Sequence, residues 1–270
     1  MPRIRIKTNR SEHRTRSTMN KHISLALAAA ALLATAGCKK DSVEPPASTP
    51  TETAVDATVA MHFNFKDGSA PFALGNTVLH DSLGHPVRVD QVRFFVSGIH
   101  AYDDGGNVLA HYEGNNLLVD AAHSDTVYAI GAIHAMHIHE FRFNLGLDAT
   151  TNAGNPATAT PPLNDTSMYF TGMGMGYKFL VVAGQADLDN NGTYETAVNY
   201  RCGMDNLLTP AHGHVHHDLT AGELFTAQMD VNLALLFQGI DLAVNNAPGM
   251  HDPVNQRMMA NLSSGIDGEE

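Results

Sequence analysis

HIHEFRFNLGL, residues His137–Leu147, is the stretch that decides the fold. From His137 the side chains alternate: His137, His139, Phe141, Phe143 and Leu145 share one face, and Ile138, Glu140, Arg142 and Asn144 the other. A period of two is the mark of a strand, because successive side chains of an extended backbone point to opposite sides. Phe141, Phe143 and Leu145 must turn toward a core. His137 and His139 then stand on the core-facing side, where the strand enters its sheet, with His134 three residues before His137. Inward-facing imidazoles at a sheet rim need partners, either hydrogen bonds or a metal ion.

A second histidine cluster lies downstream in AHGHVHHDL, Ala211–Leu219. On a regular strand His212, His214 and His216 share a face, with side-chain origins roughly 6.5–7 Å apart, and His217 points the other way. Imidazole nitrogens bind a metal at about 2.0–2.1 Å, so neighbouring rings can bend toward one ion. The expectation is that His134, His137, His139, His212, His214 and His216 supply the ligands. Ring nitrogens of His137 or His139 should then come within about 8 Å of the 212–216 group, a span that one ion and a rotamer change could close.

Working outward, the same alternation marks Thr58–Phe65 and Phe225–Val231 as strands. Val87–His100 (VRVDQVRFFVSGIH) is dense in Val and Phe, and Asp103-Asp104-Gly105-Gly106-Asn107 reads as a hairpin turn. Val108–Tyr112, Asn116–Asp120 and Tyr177–Val182 continue the strands. Asp148–Pro162 is a long loop. Short helices follow over Leu233–Phe237 and after Asp252-Pro253, where Asp caps and Pro opens the first turn. The pattern predicts an all-β chain, a single antiparallel β-sandwich or barrel-like domain with short helices near the C-terminus.

Softer donors are scattered through the same region. Met173 and Met175 alternate with glycines, and Cys202 and Met204 precede the second His cluster. Thioether and thiolate suit Cu(I), whereas a Met-rich loop otherwise fills gaps in a core. Asp187, Asp189 and Asn191 begin like a Ca²⁺ loop, but Val198 stands where an EF-hand needs its bidentate Glu, so an Asn/Gly-rich hairpin turn is the competing reading. No Ser/His/Asp order, phosphate loop or zincin motif argues for an enzyme.

The N-terminus addresses the chain. Residues 1–37 read as an export signal with its start at Met19: Lys21 and His22, the short apolar run Ile23–Ala34, then Thr35-Ala36-Gly37-Cys38. That ending is similar to a bacterial lipobox, which makes Cys38 the lipidation site and residues 38–57 a Pro-, Ser- and Thr-rich tether. Residues 58–262 form the folded domain, and 263–270 a fraying acidic tail. The expected location is the cell envelope, with membrane contact only through the lipid. Residues 1–37 carry seven Lys or Arg and one Glu; removing that +6 from −12 leaves −18. Such a charge argues against nucleic acid as a partner and favours cations or basic proteins. With Cys38 lipidated, Cys202 is alone and no intrachain disulfide forms.

Several stretches together resemble the MbnP-like family of bacterial periplasmic copper-binding proteins. They are Thr58–Phe65, Arg93–Ser97 within the Val87–Ile99 strand, Phe141–Asp148, Leu163–Tyr169, Gly176–Phe179 and the helix over Asn255–Leu262. The resemblance implies a compact all-β domain, export, copper, and a di-haem partner of the cytochrome c peroxidase type. It also implies a kynurenine, made from Trp, beside histidine ligands. This chain has no Trp; Tyr169, Phe170, Met173 and Met175 stand in the corresponding segment. A copper site here must therefore be built on histidine, with or without methionine. Zinc, including a hydrolytic zinc site, and a metal-free module that docks the di-haem partner are the rival readings.

Overall fold

Val87–His100 lies inside a 17-residue strand, Pro86–Tyr102, which organises one of two sheets in a computed structural model. The structure describes residues 56–172 and 174–268, so the signal segment, Cys38, most of the tether and Met173 lie outside the described residues. In chain order the strands are β1 (Ala57–Asp67), β2 (Ala70–Pro71), β3 (Val78–His80), β4 (Pro86–Tyr102), β5 (Val108–Tyr112), β6 (Leu117–Asp120) and β7 (Val127–Ile133). Then follow β8 (His137–Leu145), β9 (Lys178–Ala186), β10 (Thr196–Gly203), β11 (Thr209–Asp218), β12 (Leu224–Asn232) and β13 (Ile266–Gly268). The α-helices are short: α1 (Ala149–Asn152), α2 (Leu242–Asn245) and α3 (Val254–Ser264).

The larger sheet runs β10-β9-β4-β8-β11. Arg93 and Phe94 pair with both β9 and β6, and His100 pairs with both β8 and β5. A residue has only two sheet edges, so β9 and β8 share one edge of β4 while β3, β6 and β5 line the other. The smaller sheet is built on β1, flanked by β12 and β7, with β13 beyond β12. All of these pairings are antiparallel except β1 with β12, which is parallel. The expected antiparallel sandwich is thus observed, with this one parallel pairing added. Parallel neighbours need a long crossover, and here everything from β2 to β11 intervenes between β1 and β12.

The sandwich is fastened by an aromatic knot. Phe63 of β1 meets Phe94 of β4, Phe143 of β8 and Tyr128 of β7 edge-on, with centroids 6.0, 6.4 and 6.0 Å apart. Edge-to-face packing at this distance suits ring quadrupoles and adds to the burial term. Phe141, Phe143 and Leu145 are buried as the alternation requires, but so are Ile138 and Glu140 on the other face. The buried side of β8 therefore changes between Glu140 and Phe141: His137 and His139 stay half-exposed while Ile138 and Glu140 are buried, which corrects the core-facing placement of the two histidines.

The tail departs from expectation. Residues 263–268 do not fray: α3 runs to Ser264 and Ile266–Gly268 pairs with Met229–Val231 of β12. Gly268 lies against β11, and a Cβ there would sit 1.5 Å from the His214 carbonyl oxygen. Only glycine allows this approach, which brings Asp267 beside the second histidine cluster. Among the described residues no helix is long and apolar enough to cross a membrane.

Candidate metal centre

β8 and β11 run side by side, and their register brings the two His clusters together. His212 lies opposite Arg142 and His214 opposite Glu140; further along, His217 lies opposite Ile138 and Asp218 opposite His137. Between these pairs, Val215 and His216 together face His139 alone, which is a β-bulge. His216 adopts a left-handed backbone with φ of +33°. A non-glycine residue there is strained, and such strain collects at ligand clamps. The bulge leaves the expected row of rings in place: His212 lies 5.2 Å from His214, and His214 stacks on His216 at 6.1 Å.

The His216 ring meets His139 across the strands, with the two Nδ1 atoms 3.2 Å apart. Asp104, in the β4–β5 turn, places Oδ1 3.1 Å from His139 Nδ1. Asp104, His139 and His216 thus offer three donor atoms all within 4.8 Å of one another. His137 stands alongside: Nε2 faces Asp104 at 3.4 Å while Nδ1 donates to Asp218 at 2.7 Å. Its ring centroid is 6.4 Å from that of His216. A carboxylate on one ring nitrogen fixes the tautomer and leaves the other free to ligate.

A second trio, Glu140, His212 and His214, also has donor atoms within 4.8 Å of one another. The His214 ring lies 5.2 Å from His212 and 5.4 Å from His139. So the clusters converge as expected, His139 well within reach of the 212–216 group. His217 points away, stacked on Phe225 at 4.1 Å and bonded to Glu223 at 2.7 Å.

Other candidates fall elsewhere. His134 is 74% exposed and pairs with Asp56 at 2.5 Å, outside both trios. Met175 and Met204 share a cavity of about 270 Å³ with Met250 and His251, and none of the rim histidines lines it. Cys202 is buried against Asn255, 3.6 Å from its Oδ1, and burial pushes the thiol up to about 12. A thiol that holds its proton so firmly is a small core side chain rather than a ligand.

Asp187, Asp189 and Asn191 form the β9–β10 hairpin turn. The Asp187 carboxylate accepts the amides of Asn191 and Gly192 at 3.1 and 2.8 Å, and Asp189 accepts from Asn191. Burial works to raise the Asp187 pKa, but these backbone bonds outweigh it and hold the carboxyl below its ordinary value. These bonds make the stretch the Asn/Gly-rich hairpin turn of the competing reading. Similarly, Asp81, His85 and Asp241 lie close together. Asp81, however, already takes the amides of Leu83, His85 and Leu242 and the His85 ring, and works as a latch.

Asp104 and Asp267 had no metal signature in the sequence. Asp104 sits in a stretch that reads only as a turn, and Asp267 in one that reads only as a tail; each is placed by pairing between distant strands. Asp267 Oδ1 lies 3.3 Å from His214 Nδ1. Burial works to raise the Asp267 pKa, yet the Gly268 amide and His214 hold it below the ordinary value.

A model of the MbnP family matches residues 56–255. The chain belongs to the MbnP family. Among solved structures, MbnP from Methylosinus trichosporium is similar at 17% identity and a TM-score of 0.47, over 73% of this chain and 84% of that one. No curated protein sequence matches. This MbnP-family chain contains no Trp, so a ligand made from tryptophan is not open to it, while histidine and carboxylate are. At the rim the donors are imidazole and carboxylate without sulfur, a set that fits Cu(II) and Zn(II) and does not select Cu(I).

Proposed function

We propose that this protein binds copper at the β8–β11 rim and holds or delivers it in the cell envelope, anchored by a lipid on Cys38. The observation that carries the reading is the meeting of His139, His216 and Asp104, with His137 beside them as a fourth donor. His137 is oriented by Asp218 and keeps Nε2 toward the group. Four nitrogen and oxygen donors from two neighbouring strands and a turn are a holding site rather than a reaction centre. Intrinsic affinity for such donors peaks at copper among the divalent first-row ions. When bound, Cu(II) would bring a redox-active cation to the protein surface; the residues orient and retain it. Half-exposed rings give the ion a way out toward a recipient.

Family membership supports copper and a di-haem cytochrome-like partner, and the −18 charge calculated for the chain after signal removal suits docking of a basic protein. Zinc is the second reading, favoured by one observation: Asp104, His139 and His216 alone are a two-imidazole, one-carboxylate set, which leaves a coordination position open.

Elemental analysis of untagged protein, followed by competing Cu(II) and Zn(II) titrations, tests both. Copper bound in stoichiometric amount and retained against zinc supports the proposal. Loss of that uptake in H139A and H216A assigns it to the rim. Uptake unchanged in both variants overturns it, and zinc preferred over copper replaces it with the second reading.

A further inference from the structure

We infer that the rim carries a second divalent-ion site, formed by Glu140, His212 and His214, so that the protein holds two ions side by side. This inference rests on the copper reading above and extends its capacity. The first observation is closeness: one donor atom from each of the three residues lies within 4.8 Å of the others, with no residue shared with the Asp104 group. A single ion cannot serve both groups. The two groups together offer six donors, more than the four that such an ion takes.

The second observation is orientation. His214 places Nδ1 3.3 Å from Asp267 and Nε2 4.0 Å from Glu140 Oε2. This repeats the arrangement of His137, whose Nδ1 is held by Asp218 while Nε2 faces Asp104. In each case a carboxylate outside the donor group fixes the ring and leaves the other nitrogen to ligate.

The third observation concerns Glu140 itself, buried on β8. Its Oε1 takes both Nε, at 2.8 Å, and Nη2 of Arg142. Arg142 is in turn laid over the Tyr102 ring at 4.0 Å. The clamp fixes the carboxylate and spends only one oxygen, leaving Oε2 toward His214. It also sets the order of filling. A guanidinium bonded to the ligand carboxylate repels an incoming cation, so the Asp104 group fills first and the Glu140 group second. The row of rings from His212 through His214 to His139 and His216, with centroids 5.2, 5.4 and 4.3 Å apart, joins the two.

The test is titration of the untagged full chain with Cu(II), and separately Zn(II), with bound ions per chain measured after gel filtration. Wild type is expected to hold two ions of unequal affinity on a monomer. H212A should hold one, the tighter; H216A should also hold one, the weaker. E140Q, which keeps the side-chain shape, should weaken the second ion by about tenfold or more. At two Cu(II) per chain, dipolar coupling broadens the EPR signal, and that broadening should vanish in H212A. H212Q serves if H212A fails to fold by near-ultraviolet circular dichroism. One ion in wild type, or two retained in H212A or H212Q, overturns the second site and leaves the copper reading standing. No ion in wild type overturns both.

Discussion

His139 and His216 come from strands 77 residues apart in sequence, yet their Nδ1 atoms lie 3.2 Å apart. Without a metal only one of them carries the proton and the other accepts it. In the proposed site both lone pairs would turn to the ion. The contact falls at the bulge, where Val215 and His216 together oppose His139.

The bulge has a cost in the backbone. The φ of +33° at His216 stores about 1–3 kcal/mol. H216G should therefore lose rim metal uptake and yet be more stable without metal than wild type, by about 1 kcal/mol once the greater freedom of glycine in the unfolded chain is set against strain relief. Thermal unfolding of both apo proteins measures the difference. A less stable H216G would mean the bulge is unstrained.

Asp218 acts on the first site through His137, which it holds at 2.7 Å. D218N removes the charge but keeps the shape. The affinity of the tighter ion should fall about 10–100-fold at unchanged stoichiometry. Competition with a chelator of known affinity reads this directly, and equal affinities in the two proteins would show that Asp218 does not position the ring.

The tail strand supports the second trio. A Cβ at residue 268 would stand 1.5 Å from the His214 carbonyl oxygen, backbone against backbone, with no flexible end to yield. G268A should push β13 off β11, cost about 1–3 kcal/mol by overpacking, and weaken the second ion because Asp267 leaves His214. Urea unfolding gives the first effect and metal titration the second.

Acid stability should report the Asp81 latch. Burial alone would raise its pKa, but the Leu242 amide, the His85 ring and the His85 and Leu83 amides outweigh it and hold the carboxyl below its ordinary value. A folded-state pKa below the unfolded one means stability that is complete above the ordinary carboxylate range and lost as pH falls through the folded value. D81N should cost about 2–3 kcal/mol at neutral pH, since buried donors lose a charged acceptor. The gap between wild type and D81N should narrow below about pH 4. Denaturant midpoints at neutral and acid pH give both numbers; a gap that widens in acid would refute the latch.

How much was legible differs between the fold and the site. Alternation in Thr58–Phe65, Val87–His100 and His137–Leu145 showed strands because one face of each had to be apolar, and Phe63, Phe94 and Phe143 duly meet in the core. The parallel pairing of β1 with β12 left no such trace, since neighbour choice alters no face pattern. Met175 and Met204 read either as soft ligands or as gap-filling side chains, and they line a cavity that none of the rim histidines shares. Donor type is written in a residue; its company is not.

By itself, the sequence determined that the chain is built of strands around an apolar core, because period-two burial is written in the residues, and it marked two dense His clusters as candidate ligands. Only the tertiary structure decided that the clusters meet and that they divide into two trios completed by Asp104 and Glu140. It alone placed Asp267 beside His214. The physical reason is that register, bulge and turn placement are set by packing between distant strands, and a one-residue bulge at Val215 and His216 changes every neighbour a ring can reach without changing the residues that spell it.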